Sequence, residues 1–385
     1  MKYLSSLLFL FFLSSAAVAC DVPVFRYALE RWQRDLYRVF VLHEGEMDAA
    51  NTALAKKLEE ASVYEDGNAN VNVRTIDLSD AEMKEKFYAF YPVASEIKAT
   101  KPEILLFYPA STGVDDILWQ GKLNPENVSE LLESNPTEQL LRGILLGSSA
   151  TFLLVECEDA AKVKKARATV EATLKKLKQE IKLPEGIVQA DGSVTGENLT
   201  AFEAAATDPT NILESGIPLK IDFNLVRLPN RKGNAIFHAI LDKTHNAAEV
   251  VNEPKLYAFF GRGRFIGPVA GEGINAENLE ELAYYLTAAC SCQVKNQNPG
   301  LDFLTNLDWI GYLDGSEVVI DKELPPLIGV LNLEPTQQKE ATVGAGEPKD
   351  GPATGKPDLL RNLLLLGGIV LAVILIGTLL LWRNK

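Results

Sequence analysis

The sequence predicts an α/β protein made of two domains with mixed β-sheets flanked by helices, followed by a C-terminal transmembrane helix. Three observations lead to this fold class: an apolar run at each end of the chain, the length of the part between them, and an order of strands and helices that occurs twice. The chain has 385 residues. The part between its apolar ends is longer than one hydrophobic core usually organises, so we expect two domains there.

The first 19 residues have the pattern of a secretory signal peptide. Lys2 is followed by an apolar run over residues 7–13, and small residues then lead to Ala19. A charged start, a short apolar core and a small-residue end are typical of a cleaved leader, and the run is too short to span a bilayer. Cleavage after Ala19 would leave Cys20 as the first residue. The stretch AVAC at 17–20 also resembles a lipidation signal, so lipidation of Cys20 stays open.

The other end of the chain predicts a membrane anchor at residues 359–385. Residues 363–382 contain no charged side chain. A helix of that length crosses a bilayer, and the basic residues after it indicate that the C-terminus stays in the cytoplasm. Residues 335–358 are rich in Gly, Pro, Thr and charge, which is typical of a flexible stalk. We therefore expect a single-pass membrane protein whose body lies on the extracytoplasmic (periplasmic) side.

Two segments of the body share one pattern. Residues 101–132 and 253–282 each contain a proline, an apolar strand, a turn with glycine, a second strand, and an Asn-x-Glu-Asn stretch before a helix. In that stretch Asn124 and Asn275 are natural N-caps of the helices that follow them. The repetition indicates that the second half of the body is built like the first.

The elements before this pattern also correspond in the two halves. Buried strands alternate with amphipathic helices. In each half the order is strand, helix, strand, helix. They are expected at residues 38–42, 48–61, 71–78 and 80–91 in the first half, and at 151–156, 159–181, 220–228 and 234–243 in the second. The complete order, β-α-β-α-β-β-α twice, predicts mixed sheets with helices on their faces.

This order, the lengths of the elements, and the proline just before the third strand resemble the thioredoxin fold in duplicate. The resemblance implies thioredoxin-like domains at residues 20–140 and 141–292. Because that family has a cis-proline before its third strand, the resemblance implies cis peptide bonds before Pro102 and Pro254. The similarity lies in the architecture and includes no catalytic motif.

The catalytic C-x-x-C of thioredoxins is absent from both halves. That chemistry needs the two cysteines where the first strand turns into the first helix, since the helix N-terminus lowers the pKa of the leading thiol. The first half has no cysteine at this junction. The second half has Cys157 alone, and its neighbours Glu156, Glu158 and Asp159 disfavour a thiolate. We therefore predict no catalytic residue and no activity of the ordinary thioredoxin kind.

The remaining cysteines are Cys20, Cys290 and Cys292, and all three are candidates for a disulfide or a redox site. Disulfides are the usual fate of cysteines in an oxidising compartment. Cys20 precedes an amphipathic helix, residues 22–32, which we expect to pack on the first domain. Our leading interpretation is a structural disulfide from Cys20 to Cys290 or Cys292. A redox-active Cys290–Cys292 pair, and metal or copper binding by these thiols, stay open as alternatives.

Other site patterns are weak. Arg262 and Arg264 are a basic pair at a turn between two strands, which would suit an anionic ligand. The net charge of −14 argues against nucleic acid as a partner. The histidines are too scattered for a zinc site, and no cofactor motif is present. We therefore expect no metal and no cofactor.

Residues 293–334 form an extension after the second domain. Its polar and apolar residues alternate in a way that favours folding back on the body, either to cover a sheet edge, or to present the cysteine pair or contact a membrane partner. Together these observations favour an extracytoplasmic binding or scaffolding protein with an unknown protein partner, such as a membrane complex. The alternative is a thiol-disulfide exchange or metal-delivery protein that uses Cys290 and Cys292.

Overall fold

The computed structural model describes residues 21–313 apart from positions 197–199, 202, 205–208, 230–232 and 245–249. These residues form two mixed β-sheets with helices on their faces, so the predicted α/β class is confirmed. The strands are β1 (Tyr37–His43), β2 (Val71–Asp77), β3 (Glu103–Phe107), β4 (Ile117–Lys122), β5 (Ala150–Val155), β6 (Phe223–Leu228), β7 (Lys255–Phe260), β8 (Arg264–Ala270) and β9 (Leu301–Asp302). The α-helices are α1 (Val24–Glu30), α2 (Ala49–Ala61), α3 (Ala81–Phe90), α4 (Pro125–Leu132), α5 (Asn135–Leu145), α6 (Ala160–Glu180), α7 (Ala235–Thr244), α8 (Ala276–Thr287), α9 (Cys292–Gln297) and α10 (Trp309–Tyr312).

The first sheet has the strand order β2-β1-β3-β4, with β1 and β2 parallel and the other pairs antiparallel. Strand β1 lies inside the sheet because it is apolar on both faces. Val39 and Val41 face the helices α2 and α4, while Phe40 and Leu42 face α3. The sheet is therefore covered on both faces.

The second sheet repeats this arrangement with one strand more. Its order is β6-β5-β7-β8-β9, again with the first pair parallel and the others antiparallel. Helices α6 and α8 cover one face, and α7 covers the other. The extra strand β9 comes from the segment that follows α9, and it pairs with the outer edge of β8.

The helix caps correspond in the two halves, as the repeat predicted. The Asn124 Oδ1 accepts a hydrogen bond from the backbone N–H of Asn127 at 2.8 Å. In the same way the Asn275 Oδ1 accepts one from the N–H of Asn278 at 3.0 Å. Each cap satisfies a backbone donor that the first turn of a helix leaves without a partner.

One hydrophobic core extends through both halves. The inner sides of α2 and α4 belong to the same buried cluster as α7 and one face of the second sheet. Phe303 completes this cluster, with its ring centroid 4.6 Å from that of Phe237 and 5.8 Å from that of Phe259. Because apolar burial is the main favourable term in folding, separating the halves would expose part of the core of each.

Helix α1 packs on the second sheet, so the expectation that it packs on the first domain is wrong. Val24, Phe25 and Ala28 are buried with Phe152 and Phe260 of the second sheet. The physical reason is the availability of apolar surface. Both faces of the first sheet are already covered by its own helices, whereas the second sheet has space beside α8 for a further apolar helix.

The predicted signal peptide (residues 1–19), stalk (335–358) and membrane anchor (359–385) lie outside the described residues. Within the described part of the chain, no helix is both long and apolar enough to cross a membrane.

Candidate functional site

The junction between β1 and α2 is the place where a thioredoxin-like first half would carry a dithiol. Here hydrogen bonds among its own residues and the end of β2 hold this junction in place. The His43 Nδ1 donates to the Gly45 carbonyl oxygen at 2.7 Å. The Asp77 Oδ1 accepts from the Gly45 N–H at 2.9 Å, and from the N–H and hydroxyl of Ser79 at 2.9 and 2.8 Å. The hydrogen bonds from Ser79, and then that from Gly45, lower the pKa of Asp77. This junction holds an ionised carboxylate whose Oδ1 accepts three hydrogen bonds, and it holds no thiol.

The junction between β5 and α6 carries Cys157 as its only thiol. The carboxylate of Asp159 caps α6 by accepting from the N–H groups of Ala161 and Lys162 at 2.9 and 3.2 Å. The Cys157 thiol lies 3.7 Å from the Asp159 carbonyl oxygen and donates to it. The neighbouring Glu156 is paired with Arg227. A lone thiol in this acidic setting lacks the resolving cysteine that disulfide exchange requires.

Arg262 and Arg264 do not form an anion site, and the expectation that they would suit an anionic ligand is wrong. Both side chains are buried, with exposed fractions of 8 % and 2 %. The Arg262 Nε donates to the Leu29 carbonyl oxygen at 2.8 Å. Burial lowers the pKa of Arg262 to about 10. The turn directs its two cations into the protein because buried carboxylates and carbonyl groups are available there.

Arg264 is the centre of a buried charge network that joins three segments of the chain. Its Nη2 lies 3.0 Å from the Asp35 Oδ2, and its Nε lies 3.1 Å from the Asp302 Oδ1. Its Nη1 donates to the carbonyl oxygens of Asn298 and Gly300, each at 2.9 Å. Its guanidinium also lies over the ring of Trp32 at 5.4 Å. The network ties the residues before β1 to the edge of the second sheet.

The two carboxylates of this network also bind each other's backbone. The Asp302 N–H donates to Asp35 Oδ2 at 3.0 Å, and the Asp35 N–H donates to Asp302 Oδ2 at 2.7 Å. Burial raises the pKa of Asp302, and the nearby Arg264 opposes that rise. We refer to Asp35, Arg264 and Asp302 as the arginine junction.

Cys290 lies inside the protein, beside the segment that follows Cys20. Its side chain is 0 % exposed and belongs to the core of the second half. The Cys290 N–H donates to the Val22 carbonyl oxygen at 2.9 Å, and Pro23 forms an antiparallel bridge with Ala289. The structure thus brings the residues next to Cys20 alongside the Cys-Ser-Cys stretch. Cys20 itself lies outside the described residues, and Cys292 is the first residue of α9.

The prolines before β3 and β7 are not cis-prolines. The cis peptide bond in the described part of the chain joins Gly267 to Pro268, within β8. The expected cis bonds before Pro102 and Pro254 are therefore wrong. Both residues instead extend the sheets: the Pro102 carbonyl accepts from the N–H of Leu123 at 2.9 Å, and that of Pro254 from Gly271 at 3.0 Å. A proline at the start of a strand needs no cis bond for this, and trans is the favoured state.

Among the described residues between positions 21 and 313, no group of three or more His, Cys, Asp or Glu side chains is placed to hold a metal ion.

Sequence reasoning missed Asp35 and Asp302, which the fold makes the partners of Arg264. Neither carries a signal in the sequence, because the two lie 267 positions apart and only the fold joins them.

Comparisons with known proteins add little. No family model matches the chain, and no curated protein matches it. Among solved structures, one titled "Crystal structure of ERdj5 form II" is similar at 11 % sequence identity, with a TM-score of 0.19. The match covers 66 % of this chain and 27 % of that one, so it spans about a quarter of the other chain's length. A similarity of this size says nothing about function.

Proposed function

We propose that this chain is a membrane-anchored binding or scaffolding protein of the extracytoplasmic (periplasmic) side, with two thioredoxin-like domains that lack the dithiol. The observation that carries the proposal is the burial of Cys290, whose side chain is 0 % exposed. Disulfide exchange requires a thiolate that can reach a disulfide on another molecule. A sulfur enclosed by the core suits a structural role.

The structural role we propose is a disulfide between Cys20 and either Cys290 or Cys292. Support comes from Pro23 and Ala289, whose antiparallel bridge brings the two ends of the body side by side. Such a bond would close a loop of most of the body. In the loop-entropy model, a loop of that size stabilises the folded state by on the order of 5 kcal/mol.

The scaffolding role is supported by the ties between the halves. The Glu130 Oε1 accepts from the N–H of Ile236 at 2.6 Å, so a carboxylate of α4 caps α7 of the other half. The Tyr108 hydroxyl donates to the Lys243 carbonyl oxygen at 3.1 Å, and the Lys243 Nζ donates to the Ile117 carbonyl oxygen at 3.0 Å. With the shared core and the arginine junction, these contacts favour a body of fixed shape. A fixed shape suits a protein that positions its partners. It suits less well a protein whose domains must close on a substrate.

The partner we propose is a protein, such as a membrane complex. The predicted C-terminal helix would hold the acidic body at the membrane, next to such a partner. The net charge of −14 disfavours nucleic acid and anionic lipid surfaces. The alternative, thiol-disulfide exchange or metal delivery by Cys290 and Cys292, has no comparable support, since one of its two sulfurs is buried.

The test is a turnover assay of insulin disulfide reduction with the full-length protein in detergent, with Cys290→Ser and Cys292→Ser variants beside it. We expect no turnover above background from any of the three proteins, and no mixed disulfide trapped by either variant. Turnover by the wild-type protein that either substitution abolishes would refute the proposal and establish the exchange function.

A further inference from the structure

Strand β6 lies at one end of the second sheet and pairs in parallel with β5. In a parallel pair, every second residue of an edge strand directs its N–H and C=O groups toward the neighbouring strand, and the residues between direct theirs outward. The Leu228 carbonyl oxygen accepts from the Glu156 N–H at 3.0 Å, which places the even-numbered residues of β6 inward. The backbone groups of Phe223, Leu225 and Arg227 therefore point away from the sheet. We refer to them as the β6 edge.

The other sheet edges are short or already engaged by side chains. Strand β9 has two residues. In β2 the Val71 carbonyl oxygen accepts from the Ser62 hydroxyl at 2.7 Å, and in β4 the Lys122 carbonyl oxygen accepts from the Asn127 side-chain amide at 2.8 Å. Among the described residues, no backbone hydrogen bond beyond the β5 pairing reaches the β6 edge. An edge with unpaired donors and acceptors is a template for a further strand.

The side chains beside the β6 edge present positive charge to solvent. Arg227 is paired with Glu156, and the two side chains are 43 % and 12 % exposed. At the other end of the strand, Asp222 is 17 % exposed and is paired with Lys178 and Lys220, which are 56 % and 46 % exposed. In each case the cation reaches the solvent and the carboxylate is largely covered. A basic edge on a chain with a net charge of −14 favours an acidic partner.

The apolar side chains of β6 are only half-buried. Phe223 and Leu225 lie at the margin of the core under α6 and α8, and Val226 lies at the margin of the shared core. A strand beside β6 would place its own side chains alternately next to these two groups. The site therefore suits a segment with apolar β-forming residues in its middle and acidic residues toward its ends.

We propose that the β6 edge binds an extended, acidic segment of a partner protein, which pairs as a sixth strand of the second sheet. The edge supplies main-chain hydrogen bonds, and the neighbouring cations select acidic side chains. This inference rests on the proposed binding role and names the surface responsible for it. A second copy of the chain is disfavoured, because antiparallel pairing of two β6 edges would bring Arg227 of each copy toward Lys178 and Lys220 of the other.

Selection of random peptides displayed on phage, against the full-length protein in detergent, tests this. We expect the selected peptides to have β-branched residues bounded by Asp or Glu. They should bind at least about tenfold more weakly to a variant with both Arg227→Gln and Lys220→Gln, which leaves the covered carboxylates without these partners. The matched control combines Lys98→Gln with Lys101→Gln, because both lysines are exposed and lie before β3 in the first half. It should bind the peptides as the wild-type protein does.

The pairing itself is tested by N-methylation of the backbone amides of a selected peptide, one at a time. Alternate amides of a paired strand face its neighbour. We therefore expect the affinity to fall at least about tenfold at every second position, and to change little at the positions between. Loss without this alternation would show that the peptide binds without forming a strand, and would overturn the proposal.

Four further results would overturn it. These are a selection that enriches no peptide, and selected peptides that bind the double variant as tightly as the wild-type protein. Binding to vesicles of anionic lipid that the double variant loses would make a membrane surface the occupant, and a wild-type dimer that the double variant dissolves would make it a second copy. The proposed function has a separate readout: turnover in the insulin assay refutes the binding role, whereas a failed selection without turnover refutes the β6 site alone.

Discussion

Replacing Arg264 with Met tests the arginine junction, which joins the residues before β1 to the edge of the second sheet. The substitution keeps most of the side-chain volume and removes the cation from Asp35 and Asp302. The two carboxylate side chains are 10 % and 5 % exposed, so water cannot replace the lost partner. Leaving buried charges without their partner costs about 3–5 kcal/mol. For a body of this size that loss lowers the melting temperature by on the order of 10 °C.

The loss should depend on pH. Burial raises the pKa of Asp302, and Arg264 opposes that rise, so in the Arg264→Met variant the pKa of Asp302 rises further. A carboxyl whose pKa is higher in the folded state than in the unfolded state binds a proton more readily when folded. Folding is therefore favoured as the pH falls from above the folded pKa toward the unfolded value of about 4. The gap in melting temperature between the variant and the wild-type protein should narrow as the pH is lowered from about 7 toward about 5.

Calorimetry of the two proteins across this pH range measures the effect. Arg167→Met is the control, since the side chains of Arg167 and Glu171 are 44 % and 49 % exposed. An exposed pair on one helix contributes well under 1 kcal/mol, so this control should melt within a degree or two of the wild-type protein. The reasoning would be refuted if Arg264→Met melted like the control, or if the gap stayed constant with pH.

Three further outcomes are expected, each measured by denaturant unfolding unless another measurement is named. Glu130→Gln removes the charge that caps α7 from the other half, and should cost about 1 kcal/mol; no change would mean that the cap contributes nothing to joining the halves. Phe303→Ala removes a ring from the shared core and should cost about 3–5 kcal/mol, with one unfolding transition before and after; two separate transitions would show that the halves fold independently. Cys157→Ser should change stability by less than about 0.5 kcal/mol and leave the disulfide pattern in mass spectrometry unchanged; a missing disulfide-linked peptide in this variant would show that Cys157 is part of the bond.

Local patterns predicted the individual elements well. The strand expected at residues 71–78 is β2, and the helix expected at 159–181 is α6, within one residue at each end. The Asn124 and Asn275 caps were also found, because a cap depends on a few residues next to one another. Hydrophobic periodicity and capping are local properties, and they determine where an element begins and ends.

Contacts between distant parts of the chain could not be predicted in this way. The sequence shows that α1 is amphipathic, but its position depends on which sheet has an uncovered apolar face. Similarly, Arg262 and Arg264 have the pattern of an exposed turn, and their burial depends on partners near residues 29–35 and 302. Charged side chains are seldom buried unless they are paired, and one sequence alone does not show the pairing.

The resemblance to thioredoxins led to one wrong detail for a related reason. A proline before the third strand occurs in both halves, but its peptide bond is set by the surrounding packing. In the described part of the chain the cis bond lies before Pro268 instead.

Peptide mapping of the cysteines, after alkylation of the native, unreduced protein, tests the proposed disulfide most directly. We expect Cys20 to be recovered in a disulfide-linked peptide together with residues 290–292, and Cys157, which is partly exposed, to be alkylated. Recovery of Cys20 as an alkylated thiol, with Cys290 and Cys292 both alkylated or joined to each other, would contradict it.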